Sequence, residues 1–167
     1  MAQKSAVFLM EYEGADLLRK FGLPVVHAKL AETKEQAVEI AESIGYPVVL
    51  KGMSREIVHK TEAGVVKLNV LNQEQVLQFY DQIVQNAAKY NSAARLAGVL
   101  VQEMVPGGIE LMIGIKKNSV FGHQLVIGMG GTLVEVLQDF AMRIMPVTAG
   151  DVEEMIRELK MYPVLQG

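Results

Sequence analysis

The amino-acid sequence predicts a mixed α/β fold of the α+β type. In the first 95 residues, apolar positions at helical spacing alternate with short β-branched runs. Residues 98–128 then carry three strand-like runs in succession. Of the 167 residues, 50% are apolar and 21% are charged, and a chain of this length can bury roughly two-thirds of its unfolded surface. These observations favour packed helices and sheets and exclude a disordered chain.

Composition and charge exclude several classes of protein. The net charge is −3 and no block of lysine or arginine is present, so the sequence lacks the charge pattern of a nucleic-acid-binding protein. There are no cysteines, which excludes disulfides and thiolate metal sites. The apolar stretch near the N-terminus is too short for a signal peptide, and no run approaches the length of a membrane span. We therefore expect a cytoplasmic protein with neither nucleic acid nor membrane as a partner.

The first 95 residues are expected to form three helices and three strands. In order, these are a helix at 9–21, a strand at 25–28, a helix at 33–45, strands at 47–51 and 65–70, and a helix at 76–87. Gly22 and Pro24 end the first helix, because glycine suits the C-terminal cap and proline cannot continue a helix. Thr33 and Gln36 form a capping-box pattern at the start of the second helix.

The remaining residues are expected to form strands followed by one helix. Strand-like runs cover 98–105, 109–116 and 123–128, extended pieces cover 134–146, and a helix covers 151–160. The turn Val105-Pro106-Gly107-Gly108 joins the first two strands, and Lys117-Asn118-Ser119 is a hairpin signal between the next two. Thr148 or Asp151 caps the last helix.

Lys51 is the first candidate binding residue. It follows the apolar run Val48-Val49-Leu50, so its ammonium group would emerge where a buried strand meets a cleft. A lysine in that position can make a point contact to a phosphate. The alternative is a lysine whose charged end simply reaches solvent, and the local pattern alone does not decide between the two.

His59 and Lys60 lie on the loop after this strand. An imidazole nitrogen can accept a phosphoryl group or act in acid–base chemistry, although by spacing alone an ordinary loop histidine is the commoner interpretation. Residues 53–63 contain few apolar anchors, so we expect this loop to be mobile in the isolated chain and His59 to be largely exposed. His27 and His123 are interpreted as structural.

Glu103 and Glu110 flank a Pro-Gly-Gly turn. Where the strand ends at Glu103, free backbone N–H and C=O groups can pair with the edge of a flat heterocycle. We therefore expect residues 102–105 to line a cleft. A carboxylate at Glu110 can accept hydrogen bonds from ribose hydroxyls or face a cation. Two solvated glutamates beside a hairpin are the alternative.

Two further motifs are weaker. The run Gly128-Met129-Gly130-Gly131 lets backbone amides approach an anion, but glycines also mark β-bulges. Glu135 and Asp139 are four residues apart and share a face in either a helix or a strand, which makes them candidate metal ligands. A lone carboxylate pair is poor evidence for a metal, and the residues alone assign no metal site.

In their order and spacing, six stretches of the chain carry a family resemblance. They are EYEGADLLRKFGLPVV (11–26), YPVVLKG (46–52), IVHKTEAGVVKLN (57–69), GVLVQEMVPGGIELMIGIKKNSVFG (98–122), GMGGTLVEVLQDFAMRIMPV (128–147) and EMIRELKMYPVLQG (154–167). The HKTEAGVV and VQEMVPGGIE pieces are the most specific. The sequence resembles the ATP-grasp domain of the ADP-forming acyl-CoA synthetases, such as acetate–CoA ligase, which are related to the succinyl-CoA synthetase β subunit.

The resemblance implies an ATP-grasp domain over residues 1–167, with ATP or ADP in a cleft between approximate lobes 24–95 and 96–147. Lys51 would contact the phosphates, and His59 would be the loop histidine that becomes phosphorylated. The adenine edge would be held by Gln102, Glu103 and the backbone through Val105, and Glu110 would face the ribose or the phosphates.

The resemblance also implies an activity and partners. The complete enzyme would be an ADP-forming acid–thiol ligase that uses magnesium and passes phosphate through a histidine phosphoenzyme. A CoA-binding domain or subunit with a second phosphohistidine would be the partner, in a hetero- or homo-oligomer. This chain alone would not be a complete catalyst.

Two departures from the family pattern bear on these expectations. The family commonly has two glycines where this chain has Ala63-Gly64-Val65. Similar domains also continue past the position of Gly167, through a Gly-x-Arg-Gly turn to an (E/D)-x-N-P strand that supplies magnesium ligands, so we expect the C-terminal part of the fold to be missing. Similar regions in protein lysine acetyltransferases serve regulation, which is the alternative function.

Overall fold

The structure, a computed structural model, describes residues 8–131 and 138–167 of the chain. The residues group into two units, Met1–Pro106 and Gly107–Gly167. No helix within the described ranges is both long enough and apolar enough to cross a membrane. The mixture of helices and antiparallel sheets confirms the predicted fold class.

The first unit contains, among its described residues, three helices and four strands. In chain order these are α1 (Glu11–Lys20), β1 (Ala28–Ala31), α2 (Lys34–Ile44), β2 (Val48–Met53), β3 (Val66–Val70), α3 (Gln73–Tyr90) and β4 (Gly98–Glu103). The predicted cap of α2 is present, since the Thr33 side chain accepts a hydrogen bond from the Gln36 N–H. Gln36 does not complete the capping box on Thr33, because its side-chain oxygen accepts from the Glu32 N–H instead.

The strands of the first unit form one antiparallel sheet in the order β1-β4-β2-β3. β4 is therefore an inner strand, hydrogen-bonded to β1 on one side and to β2 on the other. Its residue Gln102 lies opposite Ala28 of β1 and Val49 of β2. This pairing makes β2 and β4 the rigid centre of the unit.

Helices α2 and α3 cover one face of this sheet and form the main core with it. The buried positions of α3 are those that helical spacing indicates, Val76, Tyr80, Ile83 and Ala87. They pack in one cluster with buried residues of β2 such as Leu50. Burying a large aliphatic side chain contributes about 1.5–3 kcal/mol, so this cluster fixes the position of β2.

The second unit is a three-stranded antiparallel sheet with helices that follow it. Its described elements are β5 (Leu111–Asn118), β6 (Gly122–Met129), β7 (Phe140–Ile144), α4 (Ala149–Glu158) and α5 (Tyr162–Leu165). Helix α4 is capped by Thr148, not by the alternative Asp151. Met155 and Leu159 pack against Ile127 of β6 and Ala141 of β7. The short helix α5 has no sequence counterpart among the predicted elements.

The limits of several strands differ from the sequence prediction. β1 begins at Ala28 rather than at residue 25, because Ala28–Ala31 are the residues that pair with β4. β2 continues to Met53 for the same reason, since Met53 pairs with Gly98. Cross-strand pairing, which a local propensity does not report, decides where a strand lies.

The boundary between the two units lies between Pro106 and Gly107. Because β4 is an inner strand of the first sheet, residues 98–103 belong to the first unit. The approximate lobes 24–95 and 96–147 of a nucleotide cleft stay a prediction.

Candidate functional site

Lys51 lies on the face of the first sheet that is turned away from α2 and α3. Side chains alternate between the two faces along a strand. Val48 and Leu50, which alternate with Val49 and Lys51, belong to the core under the helices. Lys51 therefore points to the opposite face. Leu100 and Gln102 of β4 lie on the same face, because they pair with Lys51 and Val49 respectively. We call the surface formed by Val49, Lys51, Met53, Leu100 and Gln102 the site face.

The Lys51 ammonium group has two acceptors within the first unit. It donates to Gln102 Oε1 at 3.0 Å and to the carboxylate of Glu11, the first residue of α1. The other carboxylate oxygen of Glu11 lies 3.9 Å from the Lys60 Nζ. Because the Lys51 side chain is only 20% exposed, this contact is screened less by salt than an ordinary surface ion pair.

His59 and Lys51 line the same open depression, which has a volume of about 460 Å³. Lys60, Glu11 and Glu62 also line it. His59 is exposed, as the sequence predicted. The structure thus brings the ammonium groups of Lys51 and Lys60 and the exposed imidazole of His59 to one site. Lys51 is on the inner strand β2, whereas His59 and Lys60 are on the loop that follows it.

Buried residues anchor the His59 loop. Met53 and Ile57, two of its few apolar residues, are almost completely buried and Ala63 is buried as well, while the mobility expected for residues 53–63 stays a prediction. Ser54 adds a polar anchor, since its hydroxyl donates to Glu56 at 2.7 Å. This hydrogen bond lowers the pKa of the Glu56 carboxyl. The buried residues flank His59 on both sides and leave it exposed between them.

Gly64 is the residue of the His59 loop that needs the conformational freedom of glycine. Its φ of +66° lies in the left-handed region, and a Cβ there would lie 2.9 Å from the Asn86 side-chain nitrogen. Asn86 instead donates to the Gly64 carbonyl at 2.8 Å. Ala63 and Val65, the residues on either side of Gly64, have no positive φ, and both are buried. The departure from the family pattern is therefore compatible with the turn.

The structure places Glu103 apart from Lys51 although the two residues are on adjacent strands. Glu103 lies opposite Val48, so its side chain belongs to the other face of the sheet from Lys51 and Gln102. There it lines a separate depression with His27 and Ser43. Sequence spacing does not reveal this, because the face of a residue depends on the register.

The end of β4 nevertheless offers backbone groups. The Glu103 N–H donates to the His27 carbonyl at 2.9 Å, and the Met104 N–H donates to the Pro47 carbonyl at 3.3 Å. Val105 comes next and is exposed. No acceptor for its N–H lies among the described residues. A backbone N–H without an acceptor can pair with an acceptor on a heterocycle.

Glu110, in the second unit, lies against the glycine-rich turn. Its carbonyl accepts the Gly130 N–H at 2.7 Å. A Cβ on Gly131 would lie 3.0 Å from a carboxylate oxygen of Glu110, and Gly131 has a φ of +73°. The glycines of this turn thus let Glu110 lie close to the backbone, with its side chain exposed.

Of the two carboxylates considered as metal ligands, Asp139 has a structural role. It is buried, and its two carboxylate oxygens accept the N–H groups of Lys160 at 2.8 Å and of Met161 at 3.0 Å. Glu135 lies outside the described residues. Across residues 8–131 and 138–167, no group of three His, Cys, Asp or Glu side chains is placed to hold a metal ion. The described residues therefore do not assemble a magnesium site.

Replacing Asp139 with alanine should destabilise the second unit. The change leaves two N–H groups after α4 without their charged acceptor, and hydrogen bonds to a charged group contribute about 1.5–3 kcal/mol each. We expect the free energy of unfolding, measured by urea denaturation, to fall by about 3 kcal/mol or more. Asp139→Asn keeps one acceptor oxygen and should lose about half as much. An unchanged free energy in both variants would contradict the structural role.

Glu11 is the site residue that sequence reasoning missed. It lies 40 positions from Lys51 in the chain, and its only local signal is its position at the acidic start of a helix. Negative charge there is favourable for the helix dipole, so the pattern gave no reason to assign Glu11 to the site.

Comparison with known proteins identifies the family of the chain. The sequence matches the family model of the ATP-grasp domain over residues 1–167. It is 43% identical over 159 residues to the β subunit of acetate–CoA ligase [ADP-forming] II from Pyrococcus furiosus, covering 95% of this chain and 67% of that protein. It is 45% identical to the 4-hydroxybutyrate–CoA ligase [ADP-forming] of Nitrosopumilus maritimus, covering 95% of this chain but only 23% of the ligase.

Solved structures give the same result at the level of the fold. A dinucleotide forming acetyl-coenzyme A synthetase 1 from Ca. Korarchaeum cryptofilum, in complex with coenzyme A and Ca-AMPCP, matches with a TM-score of 0.92 and 39% identity, over 95% of this chain and 69% of that chain. A Mg-AMPPCP complex of the same enzyme, with its phosphohistidine segment pointing towards the nucleotide binding site, matches with a TM-score of 0.81 and 37% identity, over 95% and 67%. The chain belongs to the ATP-grasp domain family and is similar to the ADP-forming acetate–CoA ligases.

Proposed function

We propose that this chain is the nucleotide-binding part of an ADP-forming acyl-CoA synthetase, in which phosphate passes between ATP or ADP and His59. The observation that carries the proposal is the shared depression of Lys51 and His59 on the site face. A phosphate chain held by Lys51 would lie beside an accessible imidazole. The similarity to acetate–CoA ligase β subunits supports the same class of reaction.

Phosphoryl transfer needs positioning and charge compensation more than covalent assistance from the protein. Lys51 is suited to positioning because it extends from an inner strand and is held by Gln102. His59 supplies the nucleophile. A lone pair on a neutral imidazole nitrogen attacks the γ-phosphorus of ATP, a P–N bond forms, the P–O bond to the β-phosphate breaks, and ADP leaves with that electron pair. The reverse step returns the phosphoryl group to ADP.

For the adenine edge we propose the backbone at Val105, an exposed residue whose N–H has no acceptor among the described residues. Gln102 contributes through Lys51, since its side-chain oxygen accepts from the ammonium group. Glu103 and Glu110 remain proposed contacts to the nucleotide, at the adenine and at the ribose or phosphates respectively. The face that Glu103 occupies separates its side chain from Lys51, so any part it plays with the phosphates would be indirect.

The complete enzyme would need further parts. We propose a CoA-binding domain or subunit with its own phosphohistidine as the partner, in a hetero- or homo-oligomer in the cytoplasm. Magnesium would accompany the nucleotide in that enzyme. The described residues form no group of three His, Cys, Asp or Glu side chains that could hold this ion.

The alternative, a regulatory ATP-grasp-like domain of a protein lysine acetyltransferase, has no support from these similarities, because the relatives described above are CoA ligases and synthetases. An exposed imidazole in the Lys51 depression also favours a phosphoryl-transfer role over a purely regulatory one.

Replacing Lys51 with glutamine should weaken the binding of ATP and ADP by about 10- to 100-fold, because a hydrogen bond to a charged group contributes about 1.5–3 kcal/mol. Isothermal titration calorimetry measures this, and adenosine, which lacks phosphates, should bind equally well before and after the change. Lys67→Gln is the matched control, because Lys67 is on neighbouring β3 but packs over the Phe79 ring on the helix side. Equal affinities in Lys51→Gln and the parent chain would rule out the phosphate contact.

A further inference from the structure

We propose that Glu11 sets the affinity of the site for phosphate-class anions, by holding its own carboxylate between the Lys51 and Lys60 ammonium groups. The inference deepens the proposed function and rests on it in one respect: the anion that competes with the Glu11 carboxylate for the lysines is the phosphate chain of a nucleotide. Glu11 is thus a positioning and affinity-setting residue that acts through the two lysines.

The geometry places the carboxylate of Glu11 where an anion would otherwise lie. One of its oxygens accepts from the Lys51 ammonium group, and the other lies 3.9 Å from Lys60 Nζ. All three residues line the depression that also contains His59. The two ammonium groups that flank this carboxylate could bind one phosphate group in its place, because both anions accept charge-assisted hydrogen bonds from lysine.

Lys51 does not depend on Glu11 for its position. Its strand β2 is paired on both sides, with β3 and with β4. On the site face Gln102 Oε1 accepts from the same ammonium group at 3.0 Å. Removing the charge of Glu11 therefore leaves Lys51 on the same strand with one remaining acceptor, and the main change is electrostatic.

The charge of Glu11 acts against an incoming anion in two ways. It occupies donors of Lys51, and it repels a negative group that lies within a few ångströms in a partly buried place. Only 20% of the Lys51 side chain and 38% of the Glu11 side chain are exposed, so solvent screens this repulsion incompletely. Loss of the charge should consequently tighten the binding of anions, whereas a contact that only held Lys51 in place would act in the opposite direction.

The experiment compares the parent chain with Glu11→Gln by calorimetric titration of ADP, inorganic pyrophosphate and adenosine. We expect Glu11→Gln to bind ADP and pyrophosphate about three- to tenfold more tightly at low ionic strength. The gain should shrink to less than about twofold in 0.5 M salt, because salt screens charge–charge repulsion. Adenosine, which carries no phosphate, should bind the same in both proteins.

Glu13→Gln is the matched control. Glu13 is on the same turn of α1, but it pairs with Arg55 at 3.0 Å and not with Lys51 or Lys60, so its removal should change ADP affinity by less than about twofold. In the double variant Glu11→Gln/Lys51→Gln, the gain from Glu11→Gln should largely disappear, because one of the two donors is gone. Thermal unfolding midpoints verify that every variant is folded.

The outcomes separate this inference from the proposed function. If the parent chain binds ADP and Glu11→Gln binds it equally or more weakly, the inference is overturned and the proposed function stands. If pyrophosphate binds more tightly to Glu11→Gln while no variant binds ADP or adenosine, the nucleotide function is overturned and the role of Glu11 stands. Absence of binding of all three ligands to every folded variant would overturn both.

Discussion

Replacing His59 with alanine should abolish acyl-CoA formation by the complete enzyme that contains this chain, with turnover falling by about a thousandfold or more. Alanine has no nitrogen that can accept the phosphoryl group, so the chain of transfer from ATP is broken at its first step. Binding of ATP and ADP should change little, because Lys51 and Val105 lie on other segments. Steady-state kinetics together with calorimetric titration measure both quantities.

His123→Ala is the control for this substitution. His123 is exposed and lies at the start of β6, with its carbonyl accepting the Met145 N–H, a backbone contact that the alanine variant retains. Its turnover should stay within about twofold of the parent, as for most surface substitutions. If His59→Ala keeps full overall activity, His59 is an ordinary surface residue and the phosphoryl-acceptor role is wrong.

Replacing Gly98 with alanine should destabilise the first unit by about 3 kcal/mol, by backbone strain and overpacking together. Gly98 has a φ of +152°, and a Cβ there would lie 2.4 Å from the Ala31 carbonyl oxygen. That oxygen belongs to the backbone of β1, and β1 cannot move away without breaking its pairing with β4. The midpoint of urea denaturation and the derived free energy of unfolding measure the effect.

Gly14→Ala is a control that should have the opposite sign. Gly14 lies inside α1, and a Cβ there meets nothing within 4 Å. Alanine is favoured over glycine in a helix by up to about 1 kcal/mol, so this variant should be slightly more stable than the parent. An equal effect of the two substitutions would mean that the close approach of β1 to Gly98 does not constrain the fold.

The parts of this fold that sequence predicts well are those with strong local periodicity. The four buried residues of α3 follow from helical spacing alone. The cap of α2 at Thr33 follows from the capping-box pattern of Thr33 and Gln36. Lys51 could be proposed for the site because an apolar run leads directly to it. In each case the signal lies within a few residues of the feature that it predicts.

The parts that sequence did not predict depend on contacts between distant residues. The side of the sheet on which Glu103 lies follows from its register with Val48, and a shift by one residue would reverse it. The contact of Glu11 with Lys51 joins a helix end to a strand 40 positions away. The anchoring of the His59 loop depends likewise on where Ile57 packs, which its local sequence does not specify.

The most direct test of the central claim is to locate the phosphoryl group after the complete enzyme is incubated with ATP labelled at the γ-phosphate. Peptide mapping by mass spectrometry at neutral pH preserves an acid-labile phosphohistidine. Within this chain we predict the label on His59, its removal when ADP is added, and its absence in His59→Ala. Label on another residue of this chain, or an enzyme that forms acyl-CoA while His59 never carries phosphate, would contradict the account.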